Sequence, residues 1–202
     1  MFILGKSNMS RQVNCGIILS MEYQRETLVA ELRERGITYL APSDATATEV
    51  ISSGQELIYA ILNQPDARLR LALVSLFIRQ PDLAEYVPAL VEKVAPAQAV
   101  ELQILYMAAV YLQRLWLTRL SFYLENISLL PDLYSYELKL PPADERFGKA
   151  GLHALAEMWS ARSTYSFNRL VSLNKMMDLF FEQLKMERPL RESTAPSRPA
   201  AN

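Results

Sequence analysis

Cysteine, histidine and glycine are scarce in this chain of 202 residues, which has one Cys, one His and six Gly. Because Cys15 is its one cysteine, the chain cannot form an intramolecular disulfide or a metal site built from several cysteines. His153 alone does not supply the two or more His or Cys ligands that a zinc site usually takes. No Gly-Lys-Ser/Thr or Gly-x-Gly-x-x-Gly phosphate-binding motif follows a strand pattern. We therefore expect no metal site and no cofactor.

Strong charge of either sign is also missing, since 21 basic and 22 acidic residues give a formal net charge of −1. Proteins that bind nucleic acid usually concentrate positive charge, so this balance argues against a nucleic-acid partner. The alternation of Glu31, Arg33, Glu34 and Arg35 is typical of a solvated helix face rather than of paired catalytic carboxylates. We expect no catalytic residues and hence a non-enzymatic protein. The single cysteine fits a reducing compartment, and we expect a cytoplasmic location.

The chain does have one long apolar segment, residues 96–126, which contains no Gly or Pro after its first residue. A helix that is apolar around most of its circumference must be enclosed by other helices or by lipid. Arg114 and Arg119 lie within the segment, and each arginine near a bilayer centre costs roughly 2.5–3.5 kcal/mol. We therefore predict a central helix buried among other helices, and no membrane span.

Amphipathic segments bounded by Gly, Pro and turn residues account for most of the remaining chain. Gly36 is placed to end the first helix, Pro88 to bend or restart a later one, and Pro189 to end the last. Asn174 falls on the apolar seam of the last helix, where we predict a buried polar residue. The first predicted helix covers 21–35, the second starts between 43 and 48 and runs to 61, and two more start at 65 and at 81. The last three cover 96–126, 144–160, and 163 or 164 to 186. This pattern predicts an all-α fold, a compact orthogonal or antiparallel bundle of about six to seven helices around one long central helix.

The same pattern predicts one helical domain over residues 21–188. Residues 1–20 lack a continuous helical pattern, so we expect a poorly ordered arm or a start codon assigned too early. Residues 189–202 are rich in Pro, Ser and Ala, and we expect a disordered tail. Between the helices, the connection 127–142 is rich in Leu and Tyr, and its alternation over 133–140 is compatible with a loop or one isolated strand. Such an apolar connection should lie against the core or against a partner.

Two short stretches resemble known families. Pro65-Asp-Ala-Arg-Leu-Arg-Leu-Ala-Leu-Val and Pro88-Ala-Leu-Val-Glu-Lys-Val resemble the two helices of a HEAT-like repeat, over about residues 65–113. A solenoid needs at least about three repeats, so this resemblance implies a stacked α-hairpin and not a solenoid. The stretch Arg33-Glu-Arg-Gly-Ile-Thr-Tyr-Leu-Ala-Pro resembles small bacterial proteins encoded beside minimal nucleotidyltransferases. Those proteins resemble antitoxin-type partners, and the resemblance implies binding to another protein.

Candidate interaction residues are large aromatic and arginine side chains, which dominate binding hot spots, together with the apolar connection. They are Arg114, Trp116 and Arg119 on the central helix, Trp159, Arg162, Tyr165 and Arg169 near the last helix junction, and Leu133, Tyr134 and Tyr136 in the connection. The alternative interpretation is that the aromatic residues are core and the arginines pair with acids at its rim. Our hypothesis is a protein–protein interaction module that binds a partner or itself. The alternative is a sensor or enzyme that holds an anionic small molecule inside the bundle through Arg114, Arg119 or Arg162.

Overall fold

The computed structural model describes residues 23–40, 51, 53–124, 127–162 and 168–194. In these residues the chain forms eight α-helices and two short 3-10 helices, and no strand. The α-helices are α1 (Arg25–Glu34), α2 (Gly54–Leu62), α3 (Ala67–Arg79), α4 (Val87–Lys93), α5 (Pro96–Leu115), α6 (Leu117–Tyr123), α7 (Lys149–Ala161) and α8 (Arg169–Thr194). The 3-10 helices are Pro81–Tyr86 and Glu145–Gly148. The predicted all-α helical bundle is confirmed, with eight α-helices in the described residues where about six to seven were expected.

Helix α5 is the centre of the bundle, as its composition predicts. Every residue from Leu102 to Gln113 is buried, because α3, α4 and α7 all pack against this helix. The predicted single helix over 96–126 is wrong, however. At Trp116 the backbone leaves helical geometry (φ −107°, ψ 15°) and α5 ends. This break lets the short helix α6 pack against α8. Within the described part of the chain, no helix has the length and apolar character needed to cross a bilayer.

Local signals in the sequence place several helix ends correctly. Gly36 ends α1 in the left-handed conformation (φ 81°), and the N–H of Ile37 donates to the carbonyl of Leu32 at 2.7 Å, as in a Schellman motif. Pro88 lies in the first turn of α4, directly after a 3-10 helix, so it restarts the helix as predicted.

Other helix ends differ from prediction because polar side chains cap them. Ser53 is extended and its hydroxyl accepts from the N–H of Glu56, so α2 begins at Gly54 and does not run continuously from 43–48. Residues 41–50, in which that start was predicted, lie outside the described residues. Asp66 caps α3 by accepting from the N–H groups of Arg68 and Leu69.

Helix α8 carries the predicted apolar seam, with Leu173, Met177, Phe180 and Leu184 buried. Its start and end differ from prediction, since it begins at Arg169 after Asn168 and continues past Pro189 to Thr194. The predicted disordered tail therefore has its first residues in α8. The rest of that tail, 195–202, and the predicted arm, 1–20, lie outside the described residues.

The buried polar residue of α8 is not the one predicted. Asn174 is exposed, because it lies about 100° around the helix from Leu173. Gln183 is buried instead. Its amide donates to the carbonyl of Gly36 at 2.6 Å and accepts from the N–H of Thr38 at 2.8 Å. Gln183 therefore joins the end of α1 to α8.

A glycine sets the distance between α5 and α7. A Cβ added at Gly151 would lie 2.0 Å from Cε1 of Tyr111. That ring is fully buried, and its hydroxyl donates to the carbonyl of Pro141 at 2.7 Å, so it has no room to move away. We expect Gly151→Ala to lower the free energy of unfolding by about 1–3 kcal/mol through overpacking, measured by urea denaturation.

The control is the same substitution in a Tyr111→Leu background, in which the ring is gone. There Gly151→Ala should lower stability by less than half as much. An equal loss in both backgrounds would show that the ring contact does not limit the helix spacing.

Candidate functional site

Residues 127–148, called the loop from here on, lie against α5 and form hydrogen bonds with its buried polar side chains. The hydroxyl of Tyr106 donates to the carbonyl of Pro131, and that of Tyr111 to the carbonyl of Pro141, both at 2.7 Å. Burial raises the pKa of both phenols, so they stay neutral donors. Buried polar groups without partners are strongly unfavourable, so these bonds fix where the loop crosses α5.

Gln113 and Arg114 hold the first part of the loop. The fully buried amide of Gln113 donates to the carbonyl of Ser128 at 2.9 Å and accepts from the N–H of Leu130 at 2.8 Å. Arg114 donates to the carboxylate of Asp144 at 2.7 Å and to the Leu130 carbonyl at 3.1 Å. With 11% of its side chain exposed, Arg114 has a structural role in the loop.

Asp132 shapes the middle of the loop. Its carboxylate accepts from the N–H of Ser135 at 3.1 Å and from that of Ala143 at 2.8 Å. The N–H of Leu140 donates to the carbonyl of Ser135 at 2.8 Å, and Lys139 adopts a left-handed φ of 56°. Of the two interpretations of residues 133–140, a loop or one isolated strand, the strand is therefore wrong. The segment forms a helical turn, because local backbone bonds satisfy groups that a strand would have to pair with a neighbour.

The apolar side chains of the loop divide between core and solvent. Leu130, Tyr134, Leu140 and Ala143 are buried, and the ring of Tyr134 packs edge-on against Tyr106 at 6.1 Å. Tyr134, predicted as an interaction residue, is therefore part of the core. Four large apolar side chains, called the exposed loop residues from here on, face solvent. They are Leu129 (47% exposed), Leu133 (38%), Tyr136 (96%) and Phe147 (80%).

Phe147 is exposed by a strained turn. Arg146 and Phe147 have φ values of 48° and 55°, and Gly148 follows at 79°. A left-handed conformation costs about 1–2 kcal/mol for a residue with a side chain. Gly148 fits tightly here, since an added Cβ would lie 2.5 Å from the carbonyl oxygen of Tyr111. Strained residues of this kind are concentrated at functional sites.

The structure separates the other predicted interaction residues into two places. On α6 and α8, the guanidinium of Arg119 lies 3.9 Å from the centre of the Phe181 ring, against which Trp116 packs edge-on at 5.6 Å. On α7 and α8, the guanidinium of Arg169 lies 4.7 Å from the centre of the Trp159 ring.

Two more predicted interaction residues, Arg162 and Tyr165, are not part of either cluster as described. Arg162 is exposed at the end of α7, and Tyr165 lies outside the described residues. His153 is exposed on α7. In the described ranges no three His, Cys, Asp or Glu side chains are grouped as metal ligands.

Trp159 and Arg169 form part of a groove of about 570 Å³ that the sequence does not reveal. It lies between α1, α3, α5, α7 and α8. The described residues with charged side chains that line it are Arg25, Arg68, Arg70, Glu101, Arg169 and Lys175. The only sequence signal is the Arg-Leu-Arg at 68–70, and nothing in the sequence places that stretch beside α8.

Comparisons with known proteins give this chain no relative. No protein-family model matches it, and neither a curated protein nor a solved structure matches it. The resemblances to a HEAT-like hairpin and to proteins encoded beside nucleotidyltransferases therefore stay predictions. The candidate sites are therefore supported by their geometry alone.

The attachment of the loop can be tested at Gln113. Gln113→Leu removes both hydrogen bonds and leaves the buried N–H of Leu130 without a partner. An unsatisfied buried group costs about 1–3 kcal/mol, so we expect a loss of about 2–3 kcal/mol of unfolding free energy in urea denaturation.

Gln103→Leu is the matched control. The amide of Gln103 is also buried, but it donates to Glu137 at 2.8 Å, and Glu137 is exposed and can be solvated by water. We expect a loss below about 1 kcal/mol for this variant. Equal losses for the two variants would contradict the role assigned to Gln113.

Proposed function

We propose that this protein is a non-enzymatic helical module that binds another protein through the exposed loop residues. The observation that carries the proposal is the exposure of Leu129, Leu133, Tyr136 and Phe147 on a backbone held by hydrogen bonds to α5. Large apolar side chains scattered singly on a surface need no explanation, but here one loop carries four of them.

The rigidity of the loop favours binding. Association loses free energy when a flexible segment becomes ordered, and a segment that is already ordered avoids that loss. Arg114 and Asp132 each bridge separate parts of the loop, and Gln113 holds Ser128 and Leu130. The backbone that carries the exposed aromatic rings therefore has a defined path. Tyrosine is among the residues most enriched in binding hot spots.

The kind of partner is part of the same proposal. The resemblance of residues 33–42 to small proteins encoded beside nucleotidyltransferases suggests an antitoxin-like or accessory subunit that binds a second, different chain. Self-association through the same residues is the alternative. A cytoplasmic location, supported by the single cysteine, and the HEAT-like hairpin belong to this proposal as well.

Photo-crosslinking tests the proposal directly. The photoreactive amino acid p-benzoylphenylalanine replaces Tyr136, which is 96% exposed, and the cells are irradiated. We expect one discrete adduct, identified by mass spectrometry, whose protein component re-forms a stoichiometric complex with the purified chain.

The control places the same amino acid at Arg33, which is exposed on α1 and distant from the loop in the chain. It should give no adduct with that protein. Adducts of equal yield at both positions, or none at position 136, would contradict the proposal. An adduct of two copies of this chain would support self-association instead of a hetero-complex.

Substitutions in the loop should separate binding from folding. Leu133→Asp and Tyr136→Ser change exposed side chains, so we expect binding of the identified partner to weaken at least tenfold, by calorimetry, with an unchanged melting temperature. Tyr134→Ala instead removes a buried ring, and we expect it to lower the free energy of unfolding by about 3–5 kcal/mol. Unchanged affinity in both surface variants would show that the partner binds elsewhere.

A further inference from the structure

The groove between α1, α3, α5, α7 and α8 is a second candidate site, and none of its lining residues belongs to the loop. Its volume of about 570 Å³ falls within the range of about 300–1,000 Å³ that small-molecule sites usually have. Charged side chains lie along the groove together with apolar and aromatic ones, the combination that orients and encloses a small ligand.

Among the described lining residues, positive charges outnumber negative ones. Arg25 pairs with Asp66 at 3.0 Å, and Arg70 pairs with Glu101 at 2.7 Å. Arg68 and Lys175 are exposed, and neither forms an ion pair within the described part of the chain. Among the described residues, these two side chains leave an excess of positive charge that favours an anion.

The carboxylates of Asp66 and Glu101, near the groove, already form ion pairs with Arg25 and Arg70. Hydrogen bonds hold Asp66, since it caps α3 and pairs with Arg25. Burial by itself would raise its pKa, but the hydrogen bonds from Arg25, Arg68 and Leu69 outweigh burial and lower the pKa below its ordinary value. The carboxylate of Asp66 is therefore ionised at neutral pH, and its ion pair is with Arg25 and not with the guanidinium of Arg68.

Aromatic rings line the groove beside these cations. The Tyr39 hydroxyl lies 3.0 Å from the Ser75 hydroxyl, which fixes the ring, and burial raises the pKa of Tyr39 to about 12, so it stays neutral. Trp159 is half-buried, and the guanidinium of Arg169 lies 4.7 Å from the centre of its ring. Leu71, Leu105 and Met176 supply apolar contacts between them.

We propose that this groove binds a small aromatic phosphate of nucleotide size. Guanidinium groups bind phosphate oxygens through paired, charge-assisted hydrogen bonds, and a lysine adds a point charge. Arg68 and Lys175 hold the phosphate, and the planar part of the ligand lies against Trp159 and Tyr39. This site goes beyond the proposed protein-binding function and does not depend on it.

Isothermal titration calorimetry of the full chain tests the site with four probes: AMP, ADP, inorganic pyrophosphate and adenosine. We expect AMP and ADP to bind and adenosine to bind at least tenfold more weakly, because it lacks the phosphate. Pyrophosphate should also bind more weakly than ADP, since it has no ring. Affinity for ADP should fall as salt rises, because exposed charges are screened.

The deciding comparison uses two double variants. Arg68→Ala with Lys175→Ala removes two exposed cations of the groove, and we expect at least a tenfold loss of ADP affinity with no change in melting temperature. Lys93→Ala with Lys149→Ala removes the same charge from exposed positions that do not line the groove and should leave affinity unchanged.

Two further variants complete the test. Trp159→Leu should weaken ADP binding and leave pyrophosphate binding unchanged, whereas Leu133→Asp, in the loop, should change neither. No heat of binding with any phosphate probe would overturn the proposal. Equal losses in the two double variants would overturn it as well, because they would show attraction by total charge alone.

Discussion

The polar side chains buried along α5 are the constraint on which the rest of the structure depends. Tyr106, Tyr111 and Gln113 lie inside the bundle, where a polar group without a partner is strongly unfavourable. Neighbouring helices offer few free backbone groups, because their own hydrogen bonds occupy them. The loop 127–148 supplies carbonyls at Ser128, Pro131 and Pro141. Its path is therefore determined by α5, and the side chains that the path leaves in solvent form the proposed binding surface.

The fold class was predictable because it depends on patterns that recur along the chain. Apolar periodicity gave the burial of α5 and the seam of α8, and the cap at Gly36 depends on local backbone chemistry. The errors arise where tertiary contacts, and not local sequence, determine a helix end or a buried residue. Trp116 ends α5 within an unbroken helical pattern, and Pro189 lies inside α8. On α8 the buried polar residue is Gln183 and not Asn174, because only packing against the end of α1 selects the partner.

The candidate sites were less predictable than the fold. The apolar composition of the loop identified Leu133 and Tyr136 as candidates, but alternation alone could not show that Tyr134 faces the core. Phe147 was missed, since its exposure depends on a left-handed turn. The groove was missed as a whole, because its cations come from α1, α3 and α8, which are distant in sequence and meet only in the folded chain.

Hydrogen exchange of the wild-type loop amides, followed by NMR or mass spectrometry, tests most directly whether α5 holds the loop in place. In the structure the N–H groups of Leu130, Leu138 and Leu140 all donate hydrogen bonds. We expect exchange at least 100-fold slower than in an unstructured peptide, since exchange requires these bonds to open. Exchange at the unstructured rate, while α5 amides stay protected, would contradict it, because the exposed loop residues would then have no fixed positions.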